Sequence, residues 1–367
     1  MARQTHRIIL SLVVGLVTSI GLLGTAHAQE GPLPEAPTHT RPPLTNPACT
    51  SWGADRVDCF IVGNNGLMYH TWSDQASSGD VRDFSPWFEE PGVPQAGFDP
   101  GAGIGVTSWA PGRLDIMAIN GDGFVVHRYY DFGAWQPAEW EMLGAPGAAE
   151  VTEIGCSSWG VNRIDCFTRG TDRHVYQIAW DGFGWHWVDM GPLPTGTSVD
   201  SPYFGIASAG YQSTLLYQVV IAVDGNVYHS KWDGATWSGW VNGGKPPTPD
   251  NLMTVTCQAG VIYVMDCVFL DVRGRVWHRS YYEGQGSWLS WHNLGPVSPG
   301  GNAYYAAGLG YSKVIGDYGA MVVMAYGIDG QIYLGFGRGS TSTFDWYGWD
   351  SLGRPRDQRQ FLPMISR

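Results

Sequence analysis

Six degenerate copies of one pattern run from about Cys49 to Gly353, and this periodicity limits the fold of the 367-residue chain more than any other feature. The third copy is the most complete: Gly155-Cys-Ser-Ser-Trp159, Arg163-Ile-Asp165-Cys-Phe, Gly170-Thr-Asp172, Val175-Tyr176, Trp180-Asp-Gly182, Trp185-His-Trp187 and Gly191-Pro192. The second keeps Trp109, Arg113-Leu-Asp115, His127, Trp135, Trp140 and Leu143-Gly144; the first keeps Ser51-Trp52, Arg56-Val-Asp58 and Tyr69-His70. Repeats four to six are eroded, retaining Tyr228-His229 and Trp232-Asp-Gly234, Asp266 and Trp277-His278, and Tyr333 with Trp346 and Trp349. A period of about fifty residues, with short aromatic and β-branched runs between Gly, Asn and Asp turns, predicts an all-β chain folded as a β-propeller with one blade per repeat. Six repeats predict six blades of four short antiparallel strands, at approximately 48–94, 103–149, 153–200, 203–248, 252–299 and 304–353. In repeat three the strands are expected near 154–159, 164–169, 174–180 and 185–190, with turns supplied by Asn162, Thr171-Asp172 and Asp181-Gly182.

The six cysteines test this register. They fall in repeats one, three and five as Cys49 with Cys59, Cys156 with Cys166, and Cys257 with Cys267, always at the same spacing. Residues so spaced sit opposite one another in an antiparallel hairpin whose turn is centred midway, within bridging reach. None of the pairs has the tight spacing of a zinc site, so three disulfides within blades are expected, and no metal. Repeat two carries Val106 and Ile116 at the matching positions, which makes the slot a packed contact in either form.

Outside the repeats, Arg3 and Arg7 precede an uncharged apolar run over 8–24 and the small-x-small site Ala26-His-Ala28, so residues 1–28 read as a signal peptide. Residues 29–47 are proline-rich and read as a flexible lead; residues 354–367 form a tail beyond the last repeat. The propeller itself is expected over 48–353, secreted, with no membrane insertion of the mature chain. A net charge of −12 argues against nucleic acid, whose phosphates need a basic surface.

The repeats resemble the fucose-binding β-propeller lectins of bacteria and fungi, whose units look like S-W-G-x-x-R-x-D-x-F, then G-x-D, a W/Y-H step, W-D-G and W-x-x-W-x-x-L-G. The likeness spans most of the chain, although the bacterial group typically has seven blades and the fungal group six. It implies shallow sugar sites between adjacent blades, acting together through avidity. A pyranose offers an apolar face for an aromatic ring and hydroxyls for fixed donors and acceptors. The candidate site residues are therefore Trp52 with Arg56, Trp109 with Arg113, and Trp159 with Arg163, supported by Trp140, Glu141 and Trp187. Fucose, or another deoxy or O-methylated sugar, is the expected ligand, and no cofactor is expected. Repeats four to six lack the strand-one tryptophan and the arginine, with Tyr211, Gly260 and Tyr311 near the first position, so fewer than six sites would be competent.

Each of these residues also has a structural reading. Tryptophans fill the wide gap between diverging blades, each Arg and Asp two apart on a strand can pair with each other, and His70, His127, His229 and His278 recur as hydrogen-bonded imidazoles. Two other functions remain open. A secreted scaffold for protein interactions is compatible with the same fold, which hosts many activities. A glycoside hydrolase needs two carboxylates at a defined separation, whereas the carboxylates here recur with the repeat, so no catalytic residue is assigned.

Overall fold

Runs such as Arg56–Val62 and Arg163–Gly170, rich in β-branched and aromatic residues and stopped by turn residues at both ends, form the strands of six antiparallel sheets. The computed structural model describes residues 46–353 apart from 64, 148–149, 193–204, 212–214, 223, 260–262, 298–305, 315–316, 328–330 and 340–343. The expected signal peptide, all but the end of the proline-rich lead, and the C-terminal tail lie outside the described residues. The blades span Ala48–Glu89, Ile104–Gly144, Val151–Pro192, Ile206–Gly244, Leu252–Pro296 and Ala306–Gly353, each inside or within a few residues of the expected segment. Strands pair in chain order within every sheet, and only blade five departs from four strands, its last being split into Ser287–Trp288 and His292–Pro296. In blade three the strands are Val151–Gly160, Arg163–Gly170, His174–Trp180 and Trp185–Pro192, with Asn162 at φ 58° in the first turn.

The first strands stand innermost. Each contacts the first strand of the next blade, and that of blade six returns to that of blade one, closing the ring. They surround an axial cavity of about 50 Å³ lined by Cys49, Val106, Cys156, Ala207, Cys257 and Tyr311 among others. Close approach of neighbouring inner strands fixes glycine at two points: a Cβ on Gly155 would stand 2.8 Å from the Ala207 Cα, and one on Gly310 would stand 2.7 Å from the Pro47 carbonyl oxygen. Gln258 of blade five donates across to the Cys49 carbonyl of blade one at 3.2 Å, and Asn46 donates to Thr254 at 3.1 Å. These contacts tie the start of the repeat region to its far side.

All three disulfides form between the first and second strands of blades one, three and five, with Cα separations of 4.1, 4.0 and 4.1 Å, and Val106 faces Ile116 in the same slot of blade two. Each cysteine pair packs against the preceding blade, while the neighbouring strand-two positions face the following one. Turns joining strands one to two and three to four lie on one face of the ring, here called upper, and turns joining strands two to three lie on the lower face. One expectation needs correction: Tyr311 does not take the place of the strand-one tryptophan. It pairs with Val323, faces blade five and is fully buried, so it serves the axis rather than the cleft beyond blade six.

Candidate functional site

The clefts between blades one and two, two and three, and three and four share one construction. The leading blade places the tryptophan at the end of strand one and the arginine at the start of strand two, so the upper turn brings both together. The aspartate two residues on is on the same face of strand two. Arg56 lies over the Trp52 ring at 5.0 Å and Arg113 over Trp109 at 5.1 Å; Arg163 lies over Trp159 at 4.7 Å. The trailing blade closes each cleft with rings from its strand three and strand four: Tyr130 and Trp135, Trp180 and Trp185, and Trp232 and Trp237.

Below the arginine the first two clefts carry a four-membered polar chain. Arg56 grips Asp58 through Nε and Nη2, both at 2.7 Å, and Arg113 grips Asp115 at 2.8 and 2.7 Å, a bidentate geometry that satisfies both carboxylate oxygens. His70 Nε2 meets Asp58 at 2.9 Å while its Nδ1 meets Glu90 at 2.9 Å; His127 likewise meets Asp115 at 3.1 Å and Glu141 at 3.0 Å. Carboxylates at both ring nitrogens require both to donate, which is the imidazolium form. Burial pulls these imidazole pKa values down, but the hydrogen bonds to Asp58 and Glu90, and to Asp115 and Glu141, outweigh it, and both values end above the ordinary 6.5. Glu141 is held below its ordinary value chiefly by the His127 bond, and the Trp185 indole also reaches it. With their arginines occupying the aspartates, the buried Nε1 atoms of Trp52 and Trp109 have no partner.

The third cleft is wired differently. Trp159 Nε1 donates to Asp165 Oδ2, and Gln177, standing where the others have histidine, donates to Oδ1 at 2.6 Å. The Arg–Asp pairing expected from the sequence therefore holds at Arg56–Asp58 and Arg113–Asp115 and fails at Arg163–Asp165. Burial, ahead of the hydrogen bonds it receives, raises the Asp165 pKa. Arg163 Nε is buried without a partner.

The other three clefts are filled by the protein itself. Between blades four and five, Tyr217 stands at the aspartate position and donates to Glu283 at 2.6 Å, while Lys231 holds the other oxygen of Glu283 at 2.6 Å. His229 consequently has no carboxylate; it accepts from the Trp288 indole at 3.2 Å, and burial drives its pKa to about 4. Between blades five and six, the buried Asp266 takes Lys313 of the next blade at 2.9 Å together with His278 and Ser280. Between blades six and one, Phe84 and Trp87 from an insertion after the third strand of blade one share an apolar cluster with Phe336, and Arg338 donates to the Ser77 carbonyl at 3.2 Å. The four recurring histidines are thus strand-three residues in clefts and do not converge on the axis. Among the described residues, no group of three His, Cys, Asp or Glu side chains converges to hold a metal ion, and no helix is long and apolar enough to cross a membrane.

Two strand-four rings singled out from the sequence sit away from the upper arginines. Trp140 Nε1 donates to the Gly92 carbonyl at 3.3 Å and Trp187 Nε1 to the Leu143 carbonyl at 3.0 Å, so each fastens its blade to the one before. Trp187 also lines, with Tyr176, Asp172 and Asp189, a depression near the lower face. Glu141, by contrast, belongs to the second cleft. Sequence reasoning passed over Trp135, Trp185 and Trp237 as site residues, although all three recur at one position of the repeat. It also passed over Arg128 and Arg279, each following a strand-three histidine. These arginines clamp the preceding blade by donating to the carbonyls of Pro91 and Gly243.

No protein-family profile and no curated protein sequence matches the chain. Solved structures do. The lectin SapL1, solved with alpha-methyl fucoside, superposes with a TM-score of 0.53 at 15% identity, covering 83% of this chain and 95% of its own. AofleA from Arthrobotrys oligospora gives 0.61 at 11% identity, with 86% and 88% covered. The Aleuria aurantia lectin, a six-bladed β-propeller with its own mode of fucose recognition, gives 0.57 at 14%, with 84% and 94% covered. The chain is a six-bladed β-propeller similar in fold to these proteins. At such identities the likeness speaks to fold, and the chemistry of this chain's clefts has to be argued from its own residues.

Proposed function

We propose that the protein is a secreted, multivalent carbohydrate-binding protein without catalytic activity, with sites in the three consecutive clefts led by Trp52 and Arg56, Trp109 and Arg113, and Trp159 and Arg163. The observation that carries this reading is the threefold recurrence of a Trp–Arg–Asp cluster facing two rings of the next blade. In every copy one buried donor is left unsatisfied: Trp52 Nε1, Trp109 Nε1 or Arg163 Nε. Unsatisfied buried donors are rare and mark places where water or a ligand oxygen belongs. Aromatic walls for a C–H face and fixed polar groups for hydroxyls are what a pyranose requires. Fucose, or a similar deoxy or O-methylated sugar, suits the first two clefts, since its methyl adds apolar area against Trp135 or Trp185. The disulfides support export to an oxidising compartment, as does the reading of residues 1–28 as a signal peptide. Each site alone would be weak, and three on one rigid ring would gain by avidity.

Glycan-array binding that free monosaccharide abolishes is the expected result, with Trp109→Ala and Trp159→Ala each weakening multivalent binding. If both variants and their combination fold normally and bind immobilised glycans as tightly as the parent, these positions are not sugar platforms. One observation favours a second reading as a protein-binding scaffold. Phe132 and Phe183, at upper turns of blades two and three, and Val161, in the turn between Trp159 and Arg163, are 81%, 95% and 69% exposed. An array without a positive spot would leave that reading standing.

A further inference from the structure

We infer that the cleft between blades three and four takes an anionic saccharide, a uronic acid or a sulfated sugar, unlike the first two clefts. The inference rests on the reading of the clefts as sugar sites and concerns how one of them differs. In the first two clefts the guanidinium is already neutralised by a bidentate aspartate, and a second carboxylate, Glu90 or Glu141, reaches the same chain through the histidine. An incoming anion would find its cation taken and a carboxylate beside it.

Two substitutions in the third repeat reverse this. Gln177 replaces the histidine, and its amide together with the Trp159 indole saturates Asp165 with neutral donors. Arg163 is thereby left without a carboxylate contact while still lying over the Trp159 ring. Val188 faces Gln177 across strands three and four, where Glu141 faces His127 in blade two, and it is 45% exposed. The cleft has exchanged its exposed acid for an apolar wall. An arginine stacked on an aromatic ring with its fork unpaired is suited to bind a carboxylate or sulfate through two parallel hydrogen bonds, and Trp232 and Trp237 of blade four supply the facing rings.

The test compares methyl β-D-glucuronide with methyl β-D-glucoside, which differ only in the charged group, by titration calorimetry on the full secreted chain. The glucuronide is expected to bind at least about tenfold more tightly, with an affinity that falls as salt is raised. Arg163→Met should remove that preference. Val188→Glu, at an exposed position that leaves the fold intact, should remove it too by returning a carboxylate to the cleft. Equal affinity for the two glycosides, or a preference that survives both variants, overturns the inference while binding of neutral glycans to the other clefts remains intact. Absence of binding to any saccharide by the parent chain defeats both this inference and the functional reading beneath it.

Discussion

The indole of Trp159 donates to the carboxylate oxygen of Asp165 that corresponds to the one Arg56 and Arg113 engage through Nε in Asp58 and Asp115. One hydrogen bond thus decides which of two donors, a neutral indole or a charged guanidinium, is left over in the cleft. Because both donors stand on the same upper turn, the two arrangements are alternatives of one design.

That alternation can be measured. Trp159→Phe removes the indole donor and leaves Asp165 Oδ2 open to Arg163, which would give blade three the pairing seen in blades one and two. A double-mutant cycle between Arg163 and Asp165 is expected to show little coupling in the parent and roughly 0.5–3 kcal/mol in the Trp159→Phe background. Equal coupling in both backgrounds would mean that Arg163 already pairs with Asp165 in solution.

The same contrast predicts unequal costs for removing arginines. Asp115 is fully buried and depends on Arg113, whose side chain is only 14% exposed, so Arg113→Ala leaves a buried carboxylate with His127 alone. A loss of about 3 kcal/mol in denaturant unfolding is expected, the lower end of the range for broken buried pairs. Arg163→Ala strands no carboxylate and should cost clearly less. A larger loss at Arg163 than at Arg113 would contradict the hydrogen bonding described here.

The ring and its cross-links were legible in the sequence because they repeat: period gives blade count, and identical cysteine spacing gives strand register. What stayed hidden was contact between repeats. Nothing in the Arg-x-Asp motif shows that Trp159 displaces Arg163, because the difference arises from Gln177 twelve residues later in the next strand. Lys231, Glu283 and Lys313 were likewise invisible, being single departures from the pattern that meet only when neighbouring blades face each other. A periodic signal identifies what repeats, whereas these clefts differ through what does not.

The disulfides should contribute measurably to stability. Replacing Cys156 and Cys166 together by alanine removes a short closed loop worth roughly 3 kcal/mol on the chain-entropy model, together with some packing against blade two. Non-reducing peptide maps are expected to show only the three pairs within blades. Bridges between blades, or free thiols in the purified chain, would break the register on which the cleft geometry depends.

Stability should also fall on the alkaline side of neutrality, and the two imidazolium chains give the reason. His70 and His127 have folded pKa values above the unfolded 6.5, so each binds its proton more tightly when folded. Their contribution is complete below pH 6.5 and is lost as pH rises through the raised folded values. Glu141 works from the other side: its pKa is lowered, so its contribution is present above its ordinary 4.5 and disappears as pH falls. Histidine at these positions therefore favours a mildly acidic to neutral optimum. The variant carrying both His70→Gln and His127→Gln copies the residue that blade three already uses at Gln177, whose amide keeps one hydrogen bond to the aspartate and cannot titrate. Melting temperatures recorded between pH 6 and pH 9 should decline for the parent and stay flatter for this variant. If the two curves run parallel, the histidines are not protonated in the folded chain and the four-membered chains are held together by neutral imidazoles.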